Sequence, residues 1–194
     1  MIATPSQSPK LTPIEYFAWE EQQLCRHEYT NGNIYAMSGG TQNHSRVALK
    51  FAALLDNHLP DGPCRVFNSD CRVNIVETDD YTYPDVSVSC DRRDNNTTQY
   101  ITYPCLIVEV LSDSTEADDR GNKFFRYRQN PQLQDYVLVS SQEIAIDLYL
   151  DTPLLSRRGD SWINQSICSL MSPPASRDQS VPQREFRCAP PYLN

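Results

Sequence analysis

The seven residues Cys105 to Leu111, CLIVEVL, constrain this chain more than any other stretch. In an extended strand successive side chains alternate between faces. Leu106, Val108 and Val110 then point one way, and Ile107, Glu109 and Leu111 the other. Both faces are apolar, the mark of a central strand covered on both sides. Glu109 stands in the middle of that run. An ionised carboxylate there costs several kcal/mol unless it is paired, hydrogen-bonded or bound to a metal. Two readings are open: a buried ion pair with an arginine (or a strand that ends early and leaves Glu109 exposed), or a metal-binding or acid–base carboxylate.

A second carboxylate gives the functional reading a use. In TYPDVSVSC, Asp85, Ser87 and Ser89 share one strand face and Val86 and Val88 the other. A neighbouring strand can set Asp85 against Glu109, with Ser87 and Ser89 marking a polar face that lines the site. Two converging carboxylates repel, so one is protonated or both share a cation. Oxygen ligands of this kind suit Mg²⁺ or Mn²⁺. Read alone, Asp85 is also an ordinary Pro-Asp turn residue. Lys123, fourteen residues after Glu109, supplies a positive charge, although with Asp119 it also makes a plain i,i+4 surface pair. Glu28 reads as a solvated strand residue or a further ligand. His44 reads as a first-turn capping residue or a phosphate contact.

The surrounding elements define a mixed α/β domain built on a largely antiparallel central sheet. LTPIEYFAWEEQQL begins a helix with Thr12 as cap, Pro13 at the first position and Glu15 completing a capping box. HEYTNGNIYAMSGG is a hairpin turning at Asn31-Gly32. TQNHSRVALKFAALLDNHL is a helix with Val47, Phe51, Leu54 and Leu55 at helical spacing. CRVF, CRVNIVE and DVSVSC are strands. STEADDRGNKFFRYRQNP is a helix capped near Ser114 or Thr115, with Gly121 weakening its middle. It separates CLIVEVL from DYVLVS, so those two strands can form a parallel crossover pair. EIAIDLYL completes a last hairpin.

The net charge is −8, which is no basic nucleic-acid footprint. No apolar run reaches the roughly 18–20 residues that span a bilayer, and the N-terminus lacks a secretory signal's layout. A cytoplasmic protein without membrane association is expected. The seven cysteines show no zinc-like spacing and are expected to be free, reduced thiols. After about residue 163 the pattern stops. Residues 164–194 are rich in proline and serine and are expected to form a loosely ordered tail after a domain at 1–163.

YPDVSV, then CLIVEVLSDSTEADDRGNKFFRYRQNPQLQDYVLVS, preceded by HEYTNGNIYAMSGGTQNHSRVA, resembles the Uma2 family (also called DUF820). These are restriction-endonuclease-like proteins, abundant in cyanobacteria, within the PD-(D/E)XK nuclease superfamily. The similarity runs from about residue 11 to about residue 150. It implies a restriction endonuclease-like core, a central mixed sheet flanked by helices, with an N-terminal helix and hairpin. It implies metal-assisted hydrolysis of DNA phosphodiester bonds, with Asp85, Glu109 and Lys123 catalytic and Asp85, Glu109 and Glu28 holding Mg²⁺ (or Mn²⁺). His44, Arg120 and Arg126, with Arg128, are weaker candidates for contacting phosphate. The superfamily lysine normally stands two residues after the second acid, where this chain has Leu111, so the resemblance moves that role to Lys123.

Family members usually continue past the last hairpin with further strand-like segments. Their loss after Trp162 suggests a frameshifted or truncated terminus. DNA is the expected substrate, and a homodimer is left open. The competing readings are a degenerate nuclease-like protein that only binds a partner, and a metal-free two-carboxylate hydrolase such as a glycosidase. A Cys25/His27 nucleophilic pair is a remote fourth.

Overall fold

Helix α1 (Pro13–Glu20) begins where the sequence caps it. The Thr12 hydroxyl accepts from the Glu15 N–H, and the Glu15 carboxylate accepts from the Thr12 N–H. Strands β1 (His27–Thr30) and β2 (Asn33–Ala36) turn through Asn31 and Gly32 at φ 48° and 83°, the positive values a two-residue primed turn requires. Helix α2 (Gln42–His58) starts at Thr41, whose hydroxyl accepts from the His44 N–H. Val47, Phe51 and Leu55 of α2 pack on the core, while Leu54 is exposed. The computed structural model describes residues 10–59, 62–76, 78–143 and 145–150.

Eight further strands complete the sheets: β3 (Arg65–Asn68), β4 (Arg72–Ile75), β5 (Asp80–Thr82), β6 (Val86–Ser89), β7 (Tyr100–Ile101), β8 (Pro104–Leu111), β9 (Asp135–Ser140) and β10 (Ile146–Leu150). They form two mixed five-stranded sheets, where the sequence predicts one. The orders are β10-β9-β8-β6-β3 and β2-β1-β5-β4-β7. Each sheet contains one parallel pair: β8 with β9, as the crossover predicts, and β4 with β7.

All eight residues of β8 are buried. Leu106 and Val108 pack with Leu55 of α2 in one cluster, and Ile107 and Leu111 pack with Val73, Ile75 and Tyr127 in another. The strand is therefore covered on both faces, and Glu109 lies on the face turned toward β4 and Tyr127.

The helix predicted over 114–131 is shorter and interrupted. It comprises α3 (Glu116–Asp118), a π-helical turn at Asp119–Lys123 and α4 (Phe124–Tyr127). Thr115 at its start makes no side-chain cap bond. A π turn inserts a residue and rotates the next helical turn about the axis, a feature frequent at functional sites.

The expectation of free thiols fails at two cysteines. Cys64 and Cys90 form a disulfide, because the β3–β6 register that pairs Arg65 with Ser89 sets them opposite one another at the next rung. Among the described residues Cys25, Cys71 and Cys105 are free. No described helix is long and apolar enough to cross a membrane. The domain end and the tail predicted over 164–194 lie outside the described residues.

Candidate active site

The β6–β8 register explains how two carboxylates meet. Val86 pairs with Val108 in antiparallel sense, so one rung on Asp85 stands opposite Glu109. The Asp85 N–H donates to Glu109 Oε2 at 3.4 Å, and the Val110 N–H donates to Asp85 Oδ2 at 2.7 Å. Asp85 is partly exposed, whereas Glu109 is 3% exposed.

Lys123 meets Glu109 from the π turn. Its Nζ lies 3.3 Å from Glu109 Oε1, 3.4 Å from Asp119 Oδ1 and 3.6 Å from Glu28 Oε1. The Tyr127 hydroxyl donates to the same Glu109 oxygen at 3.0 Å. Asp119, Lys123 and Tyr127 are spaced four apart and form one stripe facing Glu109. Glu28 arrives from β1, where alternation turns His27 and Tyr29 inward to the other side. Its Oε1 also accepts from the Tyr83 N–H at 3.2 Å.

Crowding of acids in a desolvated place sets the protonation. Burial pushes the Glu109 carboxyl well above the usual carboxylate range. Lys123 opposes this, and Asp119, Asp85 and Glu28 add to it. Burial also raises Asp119, again against Lys123. At Lys123 burial works to remove the proton, but Glu109 and Glu28 outweigh it and hold the ammonium charged well past its ordinary range. Lys123 is therefore a fixed cation and a donor, not a base.

His44 closes the other side. Its Nε2 lies 3.1 Å from Asp85 Oδ2, and the hydrogen bond to Asp85 raises its pKa against the opposing effect of burial. A Cβ placed on Gly40 would come within 2.7 Å of the His44 Nδ1, so the glycine leaves the imidazole room to reach Asp85.

Structure and sequence part company at several residues. Asp85, Glu109, Lys123, Glu28 and His44 come together. Arg120 instead pairs with Glu116 at 2.8 Å and Asp147 at 2.7 Å. Arg126 donates to the Thr30 hydroxyl at 2.6 Å, and Arg128 lies over the Phe124 ring. Ser87 is fully buried with no hydrogen-bond partner for its hydroxyl, and Ser89 bonds Asp94 at the far end of β6. The polar face predicted to line the site is sealed beyond Asp85. Cys25 Sγ does lie 3.6 Å from His27 Nε2, and His27 Nδ1 lies 2.9 Å from Glu20 Oε2. The sequence does not single out Tyr127, and it reads Asp119 only as a surface partner of Lys123. Their i,i+4 spacing about Lys123 is the signal that could have found them.

Among the described residues no three or more His, Cys, Asp and Glu are arranged as a metal cage. Asp85 and Glu109 still fit a hard divalent ion by the chemistry of their donors. Mg²⁺ is usually held by one or two carboxylates, with water and substrate oxygens completing its shell. Asp85 and His44 line a groove of about 840 Å³ that runs between the end of α1, α2 and the β3–β4 turn. Glu109 lies behind Asp85.

A sequence model described as "Uma2: Putative restriction endonuclease" matches residues 13–167. Two proteins of the cyanobacterium Synechocystis sp. (strain ATCC 27184 / PCC 6803 / Kazusa) are similar to the chain. The uncharacterized protein slr1290 is 59% identical over 141 residues, covering 73% of this chain and 74% of the relative. The uncharacterized protein sll1609 is 37% identical over 131 residues, covering 66% and 74%. The crystal structure of "a putative nuclease belonging to DUF820" from Anabaena variabilis ATCC 29413 shares the fold. The TM-score is 0.57 at 16% identity, over 84% of this chain and 99% of that one.

Proposed function

The chain belongs to the Uma2 family, and from that premise we propose that it is a metal-dependent endonuclease hydrolysing DNA phosphodiester bonds at Asp85 and Glu109. One observation carries the reading. A carboxylate that has no place in an apolar strand accepts from the backbone N–H of Asp85, whose own carboxylate lines a groove, and Lys123 lies 3.3 Å behind it. Buried acids in excess of their cations are costly as structure alone and suit a site that receives positive charge from outside.

Asp85 and Glu109 would hold Mg²⁺ or Mn²⁺, with Glu28 at the edge of the set. Such an ion supplies an acidified water and neutralises charge on the phosphate. The rest of the chemistry belongs to the chain. The Val110 N–H and His44 fix the orientation of Asp85. Tyr127 and Lys123 fix that of Glu109. Lys123 also provides a preorganised positive charge near the developing phosphorane. The apolar packing around β8 keeps water from screening these charges.

The test is nicking of supercoiled plasmid with Mg²⁺ or Mn²⁺ by wild type, Asp85→Ala and Glu109→Ala. Activity in the wild type that each substitution removes supports the proposal. A pure, folded wild type that cleaves neither DNA nor RNA with any divalent metal refutes it in favour of a binding-only protein. Cleavage of glycosides without metal would favour the two-carboxylate hydrolase.

A further inference from the structure

The groove that exposes Asp85 and His44 is also lined by Arg26 and Arg72. Arg26 is engaged, because its Nη1 donates to the Ser69 carbonyl and pairs with Asp70. Arg72 is held differently. Its guanidinium lies 5.3–5.8 Å from the ring centroids of Tyr16, Phe17 and Tyr83, and its Nε is buried with no hydrogen-bond partner. The acid beside it, Glu20, offers Oε1 at 3.9 Å, beyond hydrogen-bond length. That oxygen already accepts from the His27 N–H at 2.9 Å and the Tyr83 hydroxyl at 3.3 Å, and Oε2 faces His27 Nδ1. The Tyr16 and Tyr83 oxygens each lend a contact, and the rings hold the plane by cation–π attraction. Neither fills the fork. The result is a rigid cation, 18% exposed and with no carboxylate at hydrogen-bond length, in a groove that leads to Asp85. A planar guanidinium of this kind matches a phosphate.

The remaining lining indicates which nucleic acid would fit. Leu24 is fully exposed and Leu49 is 71% exposed, and with Met37 they border the same groove. A duplex presents phosphates along both strands, which basic residues must meet at many points. This groove has one arginine without a close carboxylate, and Leu24, Met37 and Leu49 stand among its polar lining, in a chain of net charge −8. Unpaired bases present apolar faces that these three side chains can cover, as on single-strand binding surfaces.

Resting on the nuclease reading above, we propose that the groove binds a single-stranded nucleic-acid segment. Arg72 grips a backbone phosphate, and Leu24 and Leu49 cover bases on the way to Asp85.

Fluorescence anisotropy with a labelled DNA 12-mer tests this, in the full chain carrying Glu109→Gln so that binding is read without cleavage. The single strand should bind about tenfold more tightly than the duplex of the same sequence. Arg72→Gln should weaken single-strand binding about tenfold and reduce the salt slope by about 0.7, the value for one strand phosphate. Arg72→Lys should weaken it while keeping the slope. Leu49→Ser should also weaken binding with the slope unchanged.

Arg72→Gln with unchanged affinity and slope overturns the proposal. If that variant fails to fold, Arg72→Lys with unchanged affinity does the same. A duplex that binds as well as the single strand overturns the choice of substrate. Plasmid nicking separates the two readings. A wild type that nicks while Arg72→Gln binds normally refutes only the role of Arg72. A wild type that binds single strands through Arg72 yet cleaves nothing refutes only the nuclease. Absence of any oligonucleotide binding refutes both.

Discussion

Replacing Lys123 by methionine should destabilise the protein more than any exposed charge could. The ammonium, 13% exposed, lies within 3.3–3.6 Å of Glu109, Asp119 and Glu28. Methionine keeps the length and the packing of the stem but leaves three crowded acids without their counter-charge. Removing one partner from a buried ion pair costs about 3–5 kcal/mol. For a chain of this size that corresponds to a fall of roughly 10 °C in the melting midpoint. Adding Glu109→Gln removes the stranded acid nearest the lost ammonium, so the double variant should recover more than half of the loss. Urea titration of wild type, both single variants and the double variant measures the coupling.

The deficit should also depend on pH. Burial raises the folded-state pKa of Glu109 and Asp119 above that of the unfolded chain. Between the unfolded value of about 4.3 or below and the folded value, the folded state binds protons that the unfolded chain does not. Stability of Lys123→Met relative to wild type should therefore rise as pH falls from 7 toward 5. A variant within about 1 kcal/mol of wild type at pH 7, or a deficit that grows on acidification, would show that these carboxylates are not held together in a dry cluster.

Three more expectations are open to direct measurement. Reducing the Cys64–Cys90 disulfide, which spans 26 residues, should cost about 3.5 kcal/mol by loop-closure entropy, read by urea melts with and without a phosphine reductant; identical melts would count against the bond. Gly40→Ala puts a methyl 2.7 Å from His44 Nδ1, so the imidazole should shift away from Asp85 and its raised pKa should fall toward about 6.5 in an NMR titration, with nicking reduced. Iodoacetamide at pH 7.5 should alkylate Cys25 first among the described free thiols, because burial lifts Cys71 to about 11 and Cys105 to about 12 and leaves little thiolate. Peptide mapping that finds Cys71 or Cys105 labelled as fast would contradict this packing.

The pair at the centre of the site was legible because a strand has only two faces. Once Glu109 is fixed on one face of β8 and Asp85 heads β6, a single antiparallel register makes them neighbours, and the sheet adopts it. The same alternation put Ser87 and Ser89 on the side of Asp85, but period cannot tell an open face from a covered one. Ser87 is sealed, and Ser89 serves Asp94 instead. Two layers were hidden for a related reason: β5 and β7 have three and two residues, too few for a period to show, and they help turn one expected sheet into two.

The helix posed the opposite problem. A solvated face and a face packed on a buried acid both favour an Asp119–Lys123 pair at i,i+4, so local sequence alone cannot separate a surface pair from one enclosed by Glu109 and Tyr127. Only the long-range fold does, by laying the π turn across β8. Arg120 and Arg126 flank that stripe and reach outward to Asp147 on β10 and Thr30 on β1. These arginines tie the helix to the strands on either side, which leaves Lys123 as the cation the acids share. A site with so little positive charge of its own could approach a phosphodiester only if cations arrived with the substrate or its metal, and so, on the function proposed above, the acidity that argued against nucleic acid at the level of composition would be, at Asp85 and Glu109, the reason for a divalent ion.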